Sequence, residues 1–470
     1  MKRMATLLSI IMLIVLLAAC GGKSGNGGGN TNDAASPSAN SSSSATAAPA
    51  DSGKSGEVVT IRTSISDGEL SKDQIAEFEA EHPNIKIEIE PLDSTKLAAE
   101  LATNSAPDVI RISGAFDTSS YAIRGIAMDL TDRIEASPVI KTEDLVPMAD
   151  VFRFDGKTIG TGPIYGLPKD WSNDYAIWYN KRAFDAAGVP LPDPKQPLTW
   201  PEVMELAKKL TIKDGNKIKQ YGLAATEWGK TEPNFNFMLQ YVLSAGAQIN
   251  ADDNSKMDFN VQPVKDFINM WVDAVKSNVG PNSLNNDQTS GGDLFLSDKA
   301  AMLIDGYWYS GVLRSNENAK THLSDFGMLP TPIAPNGKRV APTGGATGAI
   351  INKNTKHPDE AWTFFEWFFG GKPADDRAKS GWGLPAFQSK MALLPQETDF
   401  DKQVYSVLQD ELNYAGFLPV NPYLASGGWG IFDKYVQPLY FGKSSVDEAI
   451  AGMTKDANVA ITEAKNAAGK

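Results

Sequence analysis

Val58-Val59-Thr60-Ile61-Arg62-Thr63 is a β-branched run, and Ile85-Lys86-Ile87-Glu88-Ile89-Glu90 follows it with strict apolar and polar alternation. A period of two is what a half-buried strand requires. Between them, Ser71-Lys72-Asp73-Gln74 has capping-box spacing and predicts a helix with Ile75 and Phe78 on one face, ended by His82-Pro83-Asn84. A helix carrying Leu97, Ala98 and Leu101 comes next, then Pro107-Asp108-Val109-Ile110-Arg111-Ile112 as a third strand. Strands alternating with helices predict an α/β fold of βαβ units with a mainly parallel sheet.

The same reading extends toward the C-terminus. Thr199-Trp200-Pro201-Glu202 is a second capping box, leading into Val203, Leu206, Ala207 and Leu210. Residues 358–369 place Ala361, Phe364, Phe365 and Phe368 on one helix face, and Ser445-Val446-Asp447-Glu448 opens a last helix. The 470 residues allow two or three domains or one large two-lobed unit. A hydrophobic share of 42% and a charged share of 21% suit a globular protein. A formal charge of −13 argues against a nucleic-acid partner, which needs clustered Lys and Arg. One cysteine and three histidines argue against a disulfide framework and against multi-Cys or multi-His metal centres, so no cofactor and no metal are expected. Asp252-Asp253-Asn254 lacks the twelve-residue calcium pattern and reads as a solvated turn.

Lys2 and Arg3 precede an apolar run from Met4 to Leu17, and Leu17-Ala18-Ala19-Cys20 follows. This three-part layout is that of a secretory signal. Its end resembles the lipobox of bacterial lipoproteins, which implies cleavage after residue 19 and lipid attachment at Cys20. Residues 21–56 are Gly, Ser, Asn, Ala and Pro with almost no large apolar side chain. That composition predicts an unstructured tether, roughly 30–36 Å end to end as a flexible coil.

A set of pieces in fixed order carries a second resemblance. Ala106-Pro107-Asp108-Val109-Ile110 comes first, then Tyr165-Gly166-Leu167-Pro168, Trp171-Ser172-Asn173-Asp174 and Trp178-Tyr179-Asn180-Lys181. Phe295-Leu296-Ser297-Asp298-Lys299-Ala300-Ala301-Met302 follows with Ile304-Asp305-Gly306-Tyr307-Trp308, then Gly344-Gly345, His357-Pro358-Asp359-Glu360-Ala361-Trp362 and Gly383-Leu384-Pro385-Ala386. The chain resembles the extracellular solute-binding proteins of ABC importers, in the sugar-binding family that includes maltose-binding protein. The resemblance implies a two-lobed periplasmic-binding-protein-like fold, each lobe a mainly parallel sheet flanked by helices, hinged by several chain crossings. Crossings are expected near 170–175, 326–330 and 381–385. Lobe 1 would then be 57–170 plus 331–380, and lobe 2 would be 175–328 plus 385–470. It also implies a carbohydrate ligand held without catalysis, delivery to ABC permease subunits, a membrane-anchored extracytoplasmic location and a monomer.

A sugar offers apolar C–H faces and a rim of hydroxyls, so its site needs flat aromatic walls and a few carboxylates and amides. Of the ten tryptophans, Trp178, Trp200, Trp271, Trp362 and Trp367 lie in apolar strand or helix patterns and read as core. Trp171, Trp228, Trp308 and Trp429 sit among Gly, Ser, Asn and charge, and Trp382 lies beside the third expected crossing. These five are the candidate stacking residues; the resemblance places Trp308 and Trp429 near the family's sugar-stacking aromatics. Asp117, Asp170, Asn173 and Asp305 are the candidate polar contacts, and Gly345, in Gly344-Gly345, suits close backbone approach. The alternative for each tryptophan is a loop aromatic plugging the surface, and for each polar residue a solvated turn. A secreted glycoside hydrolase is one rival reading, because any acidic chain can supply two carboxylates. A binder of a non-sugar solute such as a peptide, polyamine or phosphate ester is the other.

Overall fold

The computed structural model describes residues 58–467 except 216, 227, 228, 425 and 426; the signal segment, Cys20, the tether and Trp228 lie outside the described residues. In chain order the elements that matter are β1 (Val59–Thr63), α1 (Lys72–Glu81), β2 (Ile85–Ile89), α2 (Ser94–Ala102), β3 (Val109–Ser113), α3 (Gly114–Ile123), β4 (Gly166–Pro168) and β5 (Ile177–Asn180). They continue with α4 (Trp200–Leu210), α5 (Phe235–Ser244), α6 (Gln262–Ser277), β6 (Met302–Ile304), β7 (Phe326–Leu329) and β8 (Thr347–Ile351). The last are α7 (Pro358–Gly370), α8 (Lys372–Ser380), α9 (Gly427–Tyr440) and α10 (Val446–Ala467).

Local signals set the helix starts. Ser71 and Gln74 cap each other's backbone at α1, and Thr199 and Glu202 do so at α4. Ser445 and Glu448 exchange the same pair of bonds at the start of α10. Phe78 of α1 packs against Phe364 and Trp367 of α7, with ring centroids 5.5 and 5.1 Å apart. Ala361, Phe364, Phe365 and Phe368 are all buried, as their spacing predicts. Trp178, Trp200 and Trp271 are fully buried, while Trp362 and Trp367 pack half-buried against the core.

The first sheet has five strands in the order β2-β1-β3-β8-β4. β1 runs parallel to β2 and β3, but β8 runs antiparallel to both β3 and β4. In the second sheet β5 lies between β6 and β7, antiparallel to each. Single bridges at Tyr221–Ala300 and Ala224–Leu303 lay another segment parallel beside β6. Both sheets are therefore mixed, where mainly parallel sheets were expected. The physical reason is how the chain arrives. A parallel neighbour needs a crossover within one sheet, whereas β8 reaches the first sheet from the second and runs back along β3.

Three stretches connect the sheets, and two of them fall later in the chain than expected. The first lies between β4 and β5. The second follows β7, yet residues 331–338 stay with the second sheet's helices: Trp200 N–H donates to Ile333 O at 2.9 Å and Lys338 N–H to Ser244 O at 2.9 Å. The third follows α8, yet Ala386 and Phe387 belong to the first sheet's core, and Val146 N–H donates to Ala386 O at 2.8 Å. Residues 331–338 and 385–393 thus pack with the opposite sheet from the one assigned by sequence. Trp171 and Leu384 pair backbone to backbone, at 3.1 and 2.8 Å, and tie the first connection to the stretch that follows α8.

Beneath β8, the buried Phe152 ring rests on a floor of three glycines. A Cβ on Gly114, Gly166 or Gly348 would come within 2.8 Å of that ring, and one on Gly348 would also meet Leu167 O at 2.0 Å. Only bare backbone lets β4, β8 and α3 close on one aromatic ring. Gly348→Ala is expected to cost about 1–3 kcal/mol by overpacking, and Phe152→Ala about 3–5 kcal/mol through the cavity left behind. Urea unfolding midpoints, read against the parent, measure both.

Candidate functional site

A cleft of about 850 Å³ opens where the connections meet the ends of β1 and β3. Ligand sites of open α/β sheets gather beyond the carboxyl ends of strands. One wall comes from the loop after β1 (Ser66, Gly68, Glu69), from Arg111 and Ser113 of β3, and from residues 344–347 leading into β8. The facing wall comes from Asn234, Asn236 and Phe237 at the start of α5, with Asp305, Trp308 and Trp429. Lys169, Asp170, Trp171, Asp174, Tyr175, Arg377 and Trp382 line its floor. A second hollow of about 800 Å³, around Lys217, Lys219, Tyr221 and Lys299, lies away from the connections and has no aromatic pair. The cleft is the candidate site.

The β1–β3 wall is charged and internally paired. Arg111 grips Glu69 with two N–H groups, at 2.6 and 3.0 Å. Lys169 bridges Glu69, at 3.2 Å, and Asp170. Burial works to raise the Glu69 carboxyl, but the Lys169 ammonium and the Arg111 bonds outweigh it and hold the group at about 2. For Asp170 burial prevails, and its carboxyl is raised in spite of Lys169.

The opposite wall is aromatic with amides. Trp308 stacks on Trp382 with centroids 6.4 Å apart and planes at 21°. Trp429 donates its indole N–H to Asn236 Oδ1 at 2.6 Å, and its ring lies 4.9 Å from Phe116 of α3. Trp382 and Trp429 keep 40% and 37% of their surfaces open, which for a large apolar ring marks a surface available for contact.

The structure sorts the sequence candidates. Trp171, Trp308, Trp382, Trp429, Asp170, Asp305 and Gly345 all border the cleft. Two of these are largely committed elsewhere: Trp171 is buried and donates its indole N–H to Pro385 O at 3.0 Å, and Asp305 is buried and accepts from Gly306 N–H at 3.0 Å. Asp117 does not border the cleft; its carboxylate accepts from Ser113 N–H at 2.9 Å, in the first turn of α3. Asn173 does not border it either, being buried and accepting from Tyr307 N–H at 3.2 Å. Trp228 lies outside the described residues. Sequence reasoning missed Glu69, Arg111, Lys169, Asp174, Asn236 and Arg377. A readable signal existed for Arg111, a lone charge inside the apolar run Val109-Ile110-Arg111-Ile112.

Asp174 joins two connections. Its Oδ2 accepts from Gly344 N–H at 2.6 Å, Gly345 N–H at 3.3 Å and Thr343 Oγ1 at 3.4 Å. Burial pushes its carboxyl up to about 7, against the pull of those donors, with Asp170 adding to the rise. A folded-state value above the unfolded one means the native protein binds the extra proton, so this group's contribution to stability falls as pH rises from about 4 to 7 and is level above that. Asp174→Asn removes the titration. The melting temperature of the variant minus that of the parent is expected to become steadily more positive between pH 4 and 7 and then plateau; a difference that stays flat across that window contradicts the assignment.

Comparison with known proteins agrees with this architecture. A family model described as bacterial extracellular solute-binding protein matches residues 63–374. An ABC substrate-binding protein of Listeria monocytogenes, solved with cycloalternan, superposes with a TM-score of 0.71 at 23% identity, covering 86% of this chain and 99% of that one. The GacH receptor of Streptomyces glaucescens, solved unliganded and with acarbose, superposes with a TM-score of 0.67 at 20% identity over 87% of this chain and all of that one. An uncharacterized ABC transporter extracellular-binding protein of Pyrococcus horikoshii is 24% identical over 318 residues, 66% of this chain and 68% of its own length. The chain belongs to the bacterial extracellular solute-binding protein family.

Proposed function

We propose that this protein captures a carbohydrate in the cleft and passes it to the permease subunits of an ABC importer. The observation that carries this reading is the pairing of two opposed surfaces. The exposed indoles of Trp382 and Trp429, with the half-buried Trp308 stacked beside Trp382, suit the C–H faces of sugar rings. Facing them, the Glu69, Arg111, Lys169 and Asp170 network suits hydroxyls, each of which donates and accepts, and the Asn236 amide adds a polar group beside Trp429. The ligands named for the Listeria and Streptomyces glaucescens proteins, cycloalternan and acarbose, favour the same class. Closure would turn about the connections, with lobe 1 and lobe 2 moving as bodies. The protein is a monomer held outside the cell by lipid at Cys20, which the lipobox-like Leu17-Ala18-Ala19-Cys20 supports.

Glycoside hydrolysis is the second reading, because Glu69 near 2 and Asp174 near 7 are carboxyls pushed apart, the pattern of an acid and base pair. Their bonding opposes it. Glu69 is held by Arg111, Lys169 and Ser66, and Asp174 accepts from two backbone N–H groups, so neither carboxyl is presented to a scissile bond.

Trp308→Ala and Trp429→Ala are each expected to weaken glycan binding at least tenfold in titration calorimetry while leaving the ligand-free melting temperature within a few degrees. Full affinity in a folded Trp308→Ala variant contradicts the site. Incubation with oligosaccharides is expected to release no product, and hydrolysis products would favour the enzyme. Cys20→Ala is expected to move the protein from the membrane fraction to the medium, and continued membrane retention contradicts the anchor.

A further inference from the structure

Behind the cleft, around Arg377 of α8, lies a narrow gap bordered also by Ala374, Gly383 and Ala386. Lys169, Asp170, Arg377 and Trp382 border both the gap and the cleft, so the gap is an inward extension of the cleft. It admits no water-sized sphere. The Arg377 guanidinium lies over the Phe368 ring at 4.4 Å, and its Nη2 donates to Phe368 O at 2.9 Å. Its Nε–H and Nη1–H groups are shut off from water and have no partner among the described residues.

The surrounding carboxylates are already engaged. Glu69 is held by Arg111 and Lys169, Asp170 by Lys169, and Asp376 by Lys372 at 2.9 Å. Burial lowers the guanidinium to about 10 even though Asp170, Glu69 and Asp376 favour its charge. A buried cation with open donors is a cost to the native state that packing alone does not explain.

We propose that this inner end of the cleft is a ligand subsite in which Arg377 donates Nε–H and Nη1–H to two separate hydroxyl or ring oxygens of a neutral sugar. The unpartnered donors set what fits. Nη2 gives one of its N–H groups to Phe368 O, which leaves Nε–H and Nη1–H as the donors to be satisfied. The two open donors lie on different edges and match oxygens spread around a ring. The charge of the cleft points the same way. Glu69, Asp170, Asp174, Asp305 and Asp376 outnumber Arg111, Lys169 and Arg377, which disfavours an anionic ligand. Trp382, flanked by Gly381 at φ 72° and Gly383 at φ 90°, borders both the gap and the cleft, and the proposal requires its ring to move aside for a sugar oxygen to reach the two donors.

This assignment rests on the carbohydrate reading above, and its test separates the two. Titration calorimetry of the full chain with maltotriose and with trigalacturonate is compared for the parent, R377M and R377K, together with ligand-free melting. The parent is expected to bind maltotriose at least tenfold more tightly than trigalacturonate. R377M should lose at least tenfold in maltotriose affinity, and R377K, which keeps the charge but not the spread of donors, most of that. Ligand-free R377M should melt at the parent temperature or above it, because it removes an unpaired buried charge. Melting several degrees lower would make Arg377 a structural residue and overturn the assignment, as would preference for the uronate. Parent binding that R377M fully retains removes this subsite alone; a parent that binds no neutral glycan removes the carbohydrate reading and the subsite together.

Discussion

One carboxylate oxygen, Asp174 Oδ2, collects the N–H groups of Gly344 and Gly345, and the walls of the cleft are set by that convergence. Asp174 lies on the connection between β4 and β5, and the two glycines lie on the connection that feeds β8. The bond therefore fixes how two independent chain passages approach each other. Gly344 has no room for a side chain here, since a Cβ would come within 2.9 Å of Tyr175 Oη and 3.1 Å of Asp174 Cβ. The next residues follow from it. Ser113 Oγ and Ala115 N–H donate to Gly345 O, and Gly114 N–H donates to Ala346 O. The end of β3, the start of α3 and the entry to β8 are thereby held at one point on the cleft rim.

Around that point the two walls differ in what holds them. The charged wall is rigid through mutual pairing: removing Glu69 takes from Arg111 the carboxylate it grips, and removing Lys169 takes from Asp170 its paired cation, the situation in which buried charges are costly. The aromatic wall is held by packing and by single hydrogen bonds from an indole, as in Trp429 to Asn236. Stacking of a sugar on an indole is tolerant of rotation, whereas a paired charge network accepts only hydroxyls in fixed places. On the proposed function, orientation of a sugar would come from the β1–β3 wall, and apolar contact area mostly from the other.

The helices were legible because their signals are local. Ser71 to Gln74, Thr199 to Glu202 and Ser445 to Glu448 each lie within four residues, and physics within one turn decides them. β1 to β3 were legible for the same reason. Strand direction was not, since β8 pairs with β3 across more than 230 positions and nothing in Thr347-Gly348-Ala349-Ile350-Ile351 records where the chain has come from. The tryptophans of the cleft were found because bulky rings among Gly, Ser and Asn lack core neighbours. Asp117 and Asn173 had the right chemistry, but backbone donors at Ser113 and Tyr307 occupy them, and only the folded chain reveals those donors. The Glu69 and Arg111 pair spans 42 positions: Arg111 stands out as a lone charge in an apolar run, but nothing local marks Glu69 as its partner.

Unrelieved costs collect near the connections. Ala346 adopts a left-handed backbone at φ 48°, which costs a residue with a Cβ roughly 1–2 kcal/mol. Asn173 Nδ2 and Tyr175 Oη are buried without partners among the described residues, and Asp174 keeps a carboxyl where burial disfavours its charge. The apolar layer of Ile61, Phe78, Val109, Phe364, Phe365 and Phe368 shows the opposite, with close aromatic packing on one face of the first sheet. Strain that persists in a folded protein does so because its surroundings over-determine it. Here the surroundings are two well-packed sheets, each indifferent to the strain between them. Stability resides in the sheets, and the marginal groups lie where the chain passes from one sheet to the other. In a receptor that holds its solute reversibly, that is where a modest free-energy change on binding has the most to act on.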